Sequence, residues 1–143
     1  MKTIIFLFIT ISLNAQWTEA ITLHNQVRSY YDLSPLSHDD NLANLAREHA
    51  ENMAATGEFK VSKDEYGENI FYINKEWALL KKVNIFLDAT ISWIVNMNED
   101  ERMMTQIIFP KVSGVGFGMA ENDSLIYVVA KYDKYYKNDN LKY

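Results

Sequence analysis

The chain has 143 residues, of which 48% are hydrophobic and 23% charged, and its net charge is −5. That length suits one domain, the composition excludes disordered and collagen-like chains, and a pI near 5.1 argues against a nucleic-acid binder. Cysteine is absent, which excludes disulfides, thiolate metal sites, iron–sulfur clusters and a cysteine nucleophile.

Met1-Lys2 and the apolar run over 3–13 read as an export signal, because the run falls short of the roughly 20 residues a spanning helix needs. Ala15 offers a small residue for cleavage. Ala20 is an alternative that would cut into the first helix, and a buried N-terminal strand is the structural alternative. The expected organisation is a signal peptide over 1–15, a folded domain over 16–133 and a loose tail over 134–143. Cleavage removes one lysine and leaves the chain more acidic still. No later run is long enough to span a bilayer, so a soluble product is expected. An exported chain without disulfides must hold its fold by its core alone.

The first predicted helix covers 17–31, with Ala20, Ile21, His24, Val27, Arg28 and Tyr31 on one face of a 3.6-residue period. Asp32-Leu33-Ser34-Pro35 breaks it. Ser37 or Asp39 then caps a second helix whose stripe is Leu42, Leu45, Ala46, His49, Ala50, Met53 and Ala54, and Gly57 ends it. Residues 58–65 read as a polar loop. Gly67-Glu68-Asn69 leads into a short strand over 70–73, and a third helix follows with Val83, Phe86, Leu87, Thr90, Ile91, Ile94 and Val95 on one face. After a polar break over 96–101, Met104, Ile107 and Ile108 suggest one or two helical turns before Pro110. Strands over 115–120 and 125–132, joined by Glu121-Asn122-Asp123-Ser124, form a hairpin. This order implies an α+β domain with a three-stranded antiparallel sheet between helices. Burial of both sheet faces explains why 125–130 is almost continuously apolar.

Several of these segments carry a family pattern. His24-Asn25-Gln26-Val27-Arg28 matches an HNxxR motif, and Asn41-Leu42-Ala43-Asn44-Leu45-Ala46-Arg47-Glu48-His49-Ala50 matches the helix expected after it. Gly67-Glu68-Asn69-Ile70-Phe71, Trp93, Thr105-Gln106-Ile107-Ile108-Phe109, the glycine-bearing strand over 112–119 and Tyr127-Val128-Val129-Ala130-Lys131-Tyr132 follow in register. Together, over about 17–133, they resemble the CAP superfamily of cysteine-rich secretory, venom-antigen and pathogenesis-related proteins (the SCP domain). The resemblance implies a three-layer α–β–α sandwich with a small antiparallel sheet. It also implies that His24, Asn25 and Arg28 tie the first helix to neighbouring backbone, with Asn69 and Gln106 belonging to the same structural motifs.

The family's cleft holds two histidines and two glutamates, which bind zinc or another divalent ion in several members. Glu68 matches the first glutamate. No histidine occurs around Phe59 to Ser62, Asn96 stands where the second glutamate is expected, and Met103 where the second histidine is expected. A single carboxylate with an amide and a thioether does not make a divalent site, so no metal, no cofactor and no enzymatic activity are expected. Ser92 and Ser113 lack a nucleophile elbow, and Glu68 itself is read either as a backbone acceptor or as a residual ligand. His24 and His49 lie on apolar stripes and read as satisfied core groups, and Asp39-Asp40 and Glu99-Asp100-Glu101 as solvated charges. The resemblance therefore implies a secreted, non-catalytic binding protein, for an apolar ligand such as a sterol or fatty acid. Phe59, Trp77, Leu79, Leu80 and Phe86 are the apolar candidates for that contact. The alternative is an extracellular protein-interaction effector, to which a tail with Tyr132, Tyr135, Tyr136 and Tyr143 would contribute. A metal-dependent hydrolase is disfavoured by Asn96 and Met103, and neither nucleic acid nor a membrane span is expected.

Overall fold

The computed structural model describes residues 2–96 and 101–136, with side chains from residue 16 onward. Helix α1 runs over Lys2–Tyr30, well beyond the start expected at residue 17, since no glycine or proline interrupts the chain before Pro35. It ends before that proline. Asp32 adopts a left-handed φ of 56°, and the N–H groups of Asp32 and Leu33 close back on Ser29 O and Arg28 O. This is the glycine-type helix stop built on an aspartate, the sort of short polar side chain that tolerates the conformation.

Helix α2 (Asp40–Thr56) begins at Asp39, whose carboxylate accepts the Leu42 N–H, and stops at Gly57 in the left-handed region. Ser37 does not cap it; with His38 it forms β1, a two-residue strand too short to show alternation. Strand β2 (Gly67–Asn74) is followed by α3 (Lys75–Lys81), α4 (Ile85–Val95) and α5 (Glu101–Ile107), then β3 (Gly114–Glu121) and β4 (Leu125–Tyr132). The segment read as a link before the third helix is therefore the separate helix α3. Its end is capped by Asn74, which accepts from Trp77 N, and α4 is capped by Asn84, which accepts from Leu87 N. Residues 97–100 of the expected polar break lie outside the described residues.

The sheet has four strands rather than three, in the order β1-β3-β4-β2, with β1 parallel to β3 and the other pairs antiparallel. It is covered on both faces. Val128, Ala130 and Tyr132 of β4 face Ala20 of α1, Phe86 and Trp93 of α4 and Ile107 of α5. Tyr127 and Val129, which alternate with them in sequence, face Ala46, Ala50 and Met53 of α2. Strand alternation thus supplies two cores from one apolar run, the arrangement of an α–β–α sandwich. On the α2 side the helix sits down on β3. A Cβ at Gly116 would lie 2.0 Å from Ala43 N, and one at Gly118 2.1 Å from Arg47 N, so only glycine admits the approach.

Phe86 belongs to this core. It is 3% exposed and packs against Phe117 at a ring separation of 5.7 Å, so the expectation that it contacts a ligand is corrected: burial under the sheet leaves it no surface to offer.

Candidate functional site

The HNxxR residues lie on the α1 face of the sheet, where their partners are all internal. His24 Nδ1 is 2.8 Å from Ala20 O; a carbonyl only accepts, so this nitrogen carries the proton and Nε2 accepts from the Tyr132 hydroxyl at 2.8 Å. The Tyr132 oxygen in turn accepts from Asn69 Nδ2, which also donates to Met103 O. Full burial pushes the His24 imidazole down from 6.5 to about 4, keeping it neutral, and pushes the Tyr132 phenol up. Asn25 makes a two-way bond with the backbone of Leu36. Arg28, fully buried, donates to the carbonyls of Ser34, Ile107, Phe109 and Val112 at 2.7 to 3.2 Å. It thereby ties α1 to the turn after it and to the chain leaving α5.

A cleft of about 680 Å³ opens on the other side of β2, between the 58–66 loop, β2, α5 and the end of the chain. Phe59, Val61, Ile70, Met103, Tyr135 and Tyr136 give it apolar and aromatic walls, and Lys60, Lys63 and Arg102 also border it. The wall made by the chain end is held by Gln106, which donates to Lys134 O and accepts from Tyr136 N, while Phe109 meets the Tyr136 ring. Residues 134–136 are therefore anchored rather than loose, and 137–143 lie outside the described residues. Gly67 is the glycine this packing needs, since a Cβ there would lie 2.4 Å from Lys134 O and 2.5 Å from Gln106 Nε2.

Charge is concentrated beneath the cleft, where Ser62, Asp64 and Glu68 line it and Lys131 and His49 lie behind them, outside the lining. Glu68 and Lys131 are directly opposed across β2 and β4, and their side chains are only 5% and 1% exposed. The Lys131 ammonium reaches Glu68, Asp64 and the Ser62 hydroxyl, so its three N–H donors have three oxygen partners. Ser62 N donates to Glu68 Oε1 at 2.9 Å, and Ser62 Oγ donates to Glu68 Oε2 at 2.7 Å. Burial would raise the Asp64 carboxyl, but hydrogen bonds from Lys131, Tyr66 N and Ser62 outweigh it and hold it below the ordinary value. His49 of α2 completes this cluster. Its Nε2 donates to Lys60 O at 2.8 Å and lies 3.5 Å from Glu68 Oε1.

Glu68, Asn69, Met103 and Gln106 therefore meet at the cleft, as neighbours on β2 and α5. Asn96 does not. It caps α4, donates to Ser92 Oγ and is absent from the cleft lining. Trp77, Leu79 and Leu80 are exposed on α3, Leu80 at 75%, and they do not line the cleft either. Ser113 is engaged with the Asp133 carboxylate. Sequence reasoning missed Ser62, Asp64 and Lys131 and the placing of His49 beside Glu68. One signal was available: a lysine inside a strand buried on both faces requires a carboxylate opposite it.

The donor set does not fit a divalent ion. No group of three or more His, Asp or Glu side chains is placed to hold one among the described residues. The two carboxylates are taken by an ammonium, and His49 commits its Nε2 N–H to Lys60 O.

Residues 21–132 match the family described as "CAP: Cysteine-rich secretory protein family". Among solved structures, the chain is similar to MpPR-1i, at 21% identity and a TM-score of 0.64, covering 88% of this chain and 92% of that one. It is similar to NaASP2 with Zn2+, at 17% identity and a TM-score of 0.67, covering 83% and 79%. It is also similar to an extracellular SCP-domain protein from Bacillus anthracis, at 17% identity and a TM-score of 0.60, covering 85% of this chain and 41% of that one. Nothing among the curated proteins matches it. No helix among the described residues is long and apolar enough to cross a membrane.

Proposed function

The chain belongs to the cysteine-rich secretory protein (CAP) family, and from that premise we propose that it is a secreted, non-catalytic binding protein whose cleft takes an apolar ligand such as a sterol or fatty acid. The observation that carries this reading is the combination of apolar walls with a floor whose charges are paired among themselves. A ligand entering such a cleft gains from burial of its apolar body and finds no free ligand set or general base beneath it. Wall residues Phe59 and Met103 replace Trp77, Leu80 and Phe86 as the contacts of choice, since α3 lies elsewhere and Phe86 is core. The leader-like residues 1–15 and the extracellular relative support export.

Native mass spectrometry of the protein with a sterol and fatty-acid panel tests the reading. The expected result is a one-to-one adduct with at least one lipid class, lost when Ile70→Asp puts a charge on the wall. Absence of any adduct across the panel refutes an apolar ligand. The exposed Trp77, Leu79 and Leu80 favour a second reading, an extracellular protein partner docked on α3. Loss of partner capture on Leu80→Asp, with the lipid adduct retained, would separate the two.

A further inference from the structure

We infer that Lys131 is the resident cation behind the cleft lining, a tethered ammonium that balances Glu68 and Asp64, straps the 58–66 loop to the sheet and closes this carboxylate pair to divalent ions. Strand register sets the direction of this side chain. Lys131 lies one residue before Tyr132 and one after Ala130, both of which face the α1 side, so its side chain is committed to the α2 side beneath the cleft. There it is buried almost completely, and an unpaired ammonium would be too costly to desolvate in such a place.

Its partners come from two pieces of chain. Glu68 is fixed on β2 directly opposite, while Ser62 and Asp64 belong to the irregular loop that forms the cleft's wall. Both carboxylates converge on one point, the ammonium nitrogen, and the Ser62 hydroxyl shares it. Two carboxylates and a hydroxyl converging on a point would suit a hard cation, and here that point is filled by the chain itself. The His49–Lys60 bond, the Ser62–Glu68 bonds and the Phe59–Tyr72 ring contact also hold the loop, and the ammonium joins both Ser62 and Asp64 of it to the sheet. A cleft built this way keeps its shape without metal.

The test is a comparison of wild type, Lys131→Met, Glu68→Gln and the double variant. Zinc uptake is read by native mass spectrometry, manganese uptake by loss of its free-ion paramagnetic resonance signal, and stability by thermal unfolding. Wild type should take up neither metal, and its Tm should be the same with chelator as with zinc. Lys131→Met should bind one equivalent of metal, and the double variant should lose that site while unfolding at a higher temperature than Lys131→Met. If Lys131→Met does not fold, recovery of folding in the double variant carries the same meaning, because removing Glu68's charge repairs the imbalance. The inference is overturned by a stoichiometric zinc site in wild type that Glu68→Gln removes. It is equally overturned by a folded Lys131→Met that takes up no metal, or by a double variant no more stable than Lys131→Met.

Discussion

Lys131 and Tyr132 are adjacent in β4, yet they anchor two polar clusters of different kinds on opposite faces of the sheet. On the α1 face, Tyr132, His24 and Asn69 form a chain of neutral hydrogen bonds, and Arg28 spreads its charge over four backbone carbonyls. On the α2 face, Lys131 meets two full carboxylates in a small volume. The first cluster ties helices and turns together, and through Asn69 it reaches the cleft lining. The second places Glu68, Asp64 and Ser62 in the lining of a cleft, with Lys131 behind them. The distinction lies in whether the charge is delivered to backbone or to other side chains.

Arg28→Met breaks the first cluster hardest. It removes the guanidinium donors from four carbonyls, those of Ile107 and Val112 among buried residues, and should cost about 4 kcal/mol in urea unfolding, or prevent folding at 37 °C. Gly118→Ala attacks neither cluster but the packing that holds α2 over the second. A Cβ meeting the Arg47 backbone should cost about 3 kcal/mol by the same measurement.

The pH dependence separates the clusters further. The folded-state pKa of His24 is depressed to about 4, so the unfolded chain binds the extra proton first as pH falls from 6.5. Its contribution is complete above 6.5, declines between 6.5 and 4 by on the order of 3 kcal/mol, and then levels off. His24→Gln should flatten the stability profile across that window. The Asp64 carboxyl is depressed as well, so the cleft wall should hold above the ordinary aspartate range and loosen only at lower pH. Hydrogen exchange of 58–66 against the α1 amides should show these two steps in that order. Tyr132→Phe is the mildest change. It removes the hydroxyl shared by His24 and Asn69 and should cost about 1 to 2 kcal/mol, with the cleft unaltered.

Much of this architecture is legible in the chain. Asp39 and Gly57 bracket α2 as expected, the GEN turn opens β2, and the apolar run of β4 declares burial on both faces. The elements that escape reading are those with no period to detect. β1 has two residues, and α3 buries only Ala78, so neither writes a stripe. The site divides in the same way. Glu68 and Met103, which the motifs single out, both line the cleft, carried there by β2 and α5. The pairing of Glu68 with Lys131 depends on strand register, and that of Asp64 on the path of an irregular loop. Neither is written in local sequence. Phe86 lies on the stripe that turns inward, which apolarity alone does not distinguish from a surface contact.

We propose that the cleft takes a lipid-type ligand without metal. Amide chemical-shift mapping of the wild-type protein, titrated first with zinc and then with palmitate and cholesterol, tests it most directly. On this reading zinc causes no site-specific shifts, and at least one lipid then causes saturable shifts confined to the 59–70 segment and the part of α5 around Met103. Saturable zinc shifts centred on Glu68 and His49, with no response to either lipid, would contradict it.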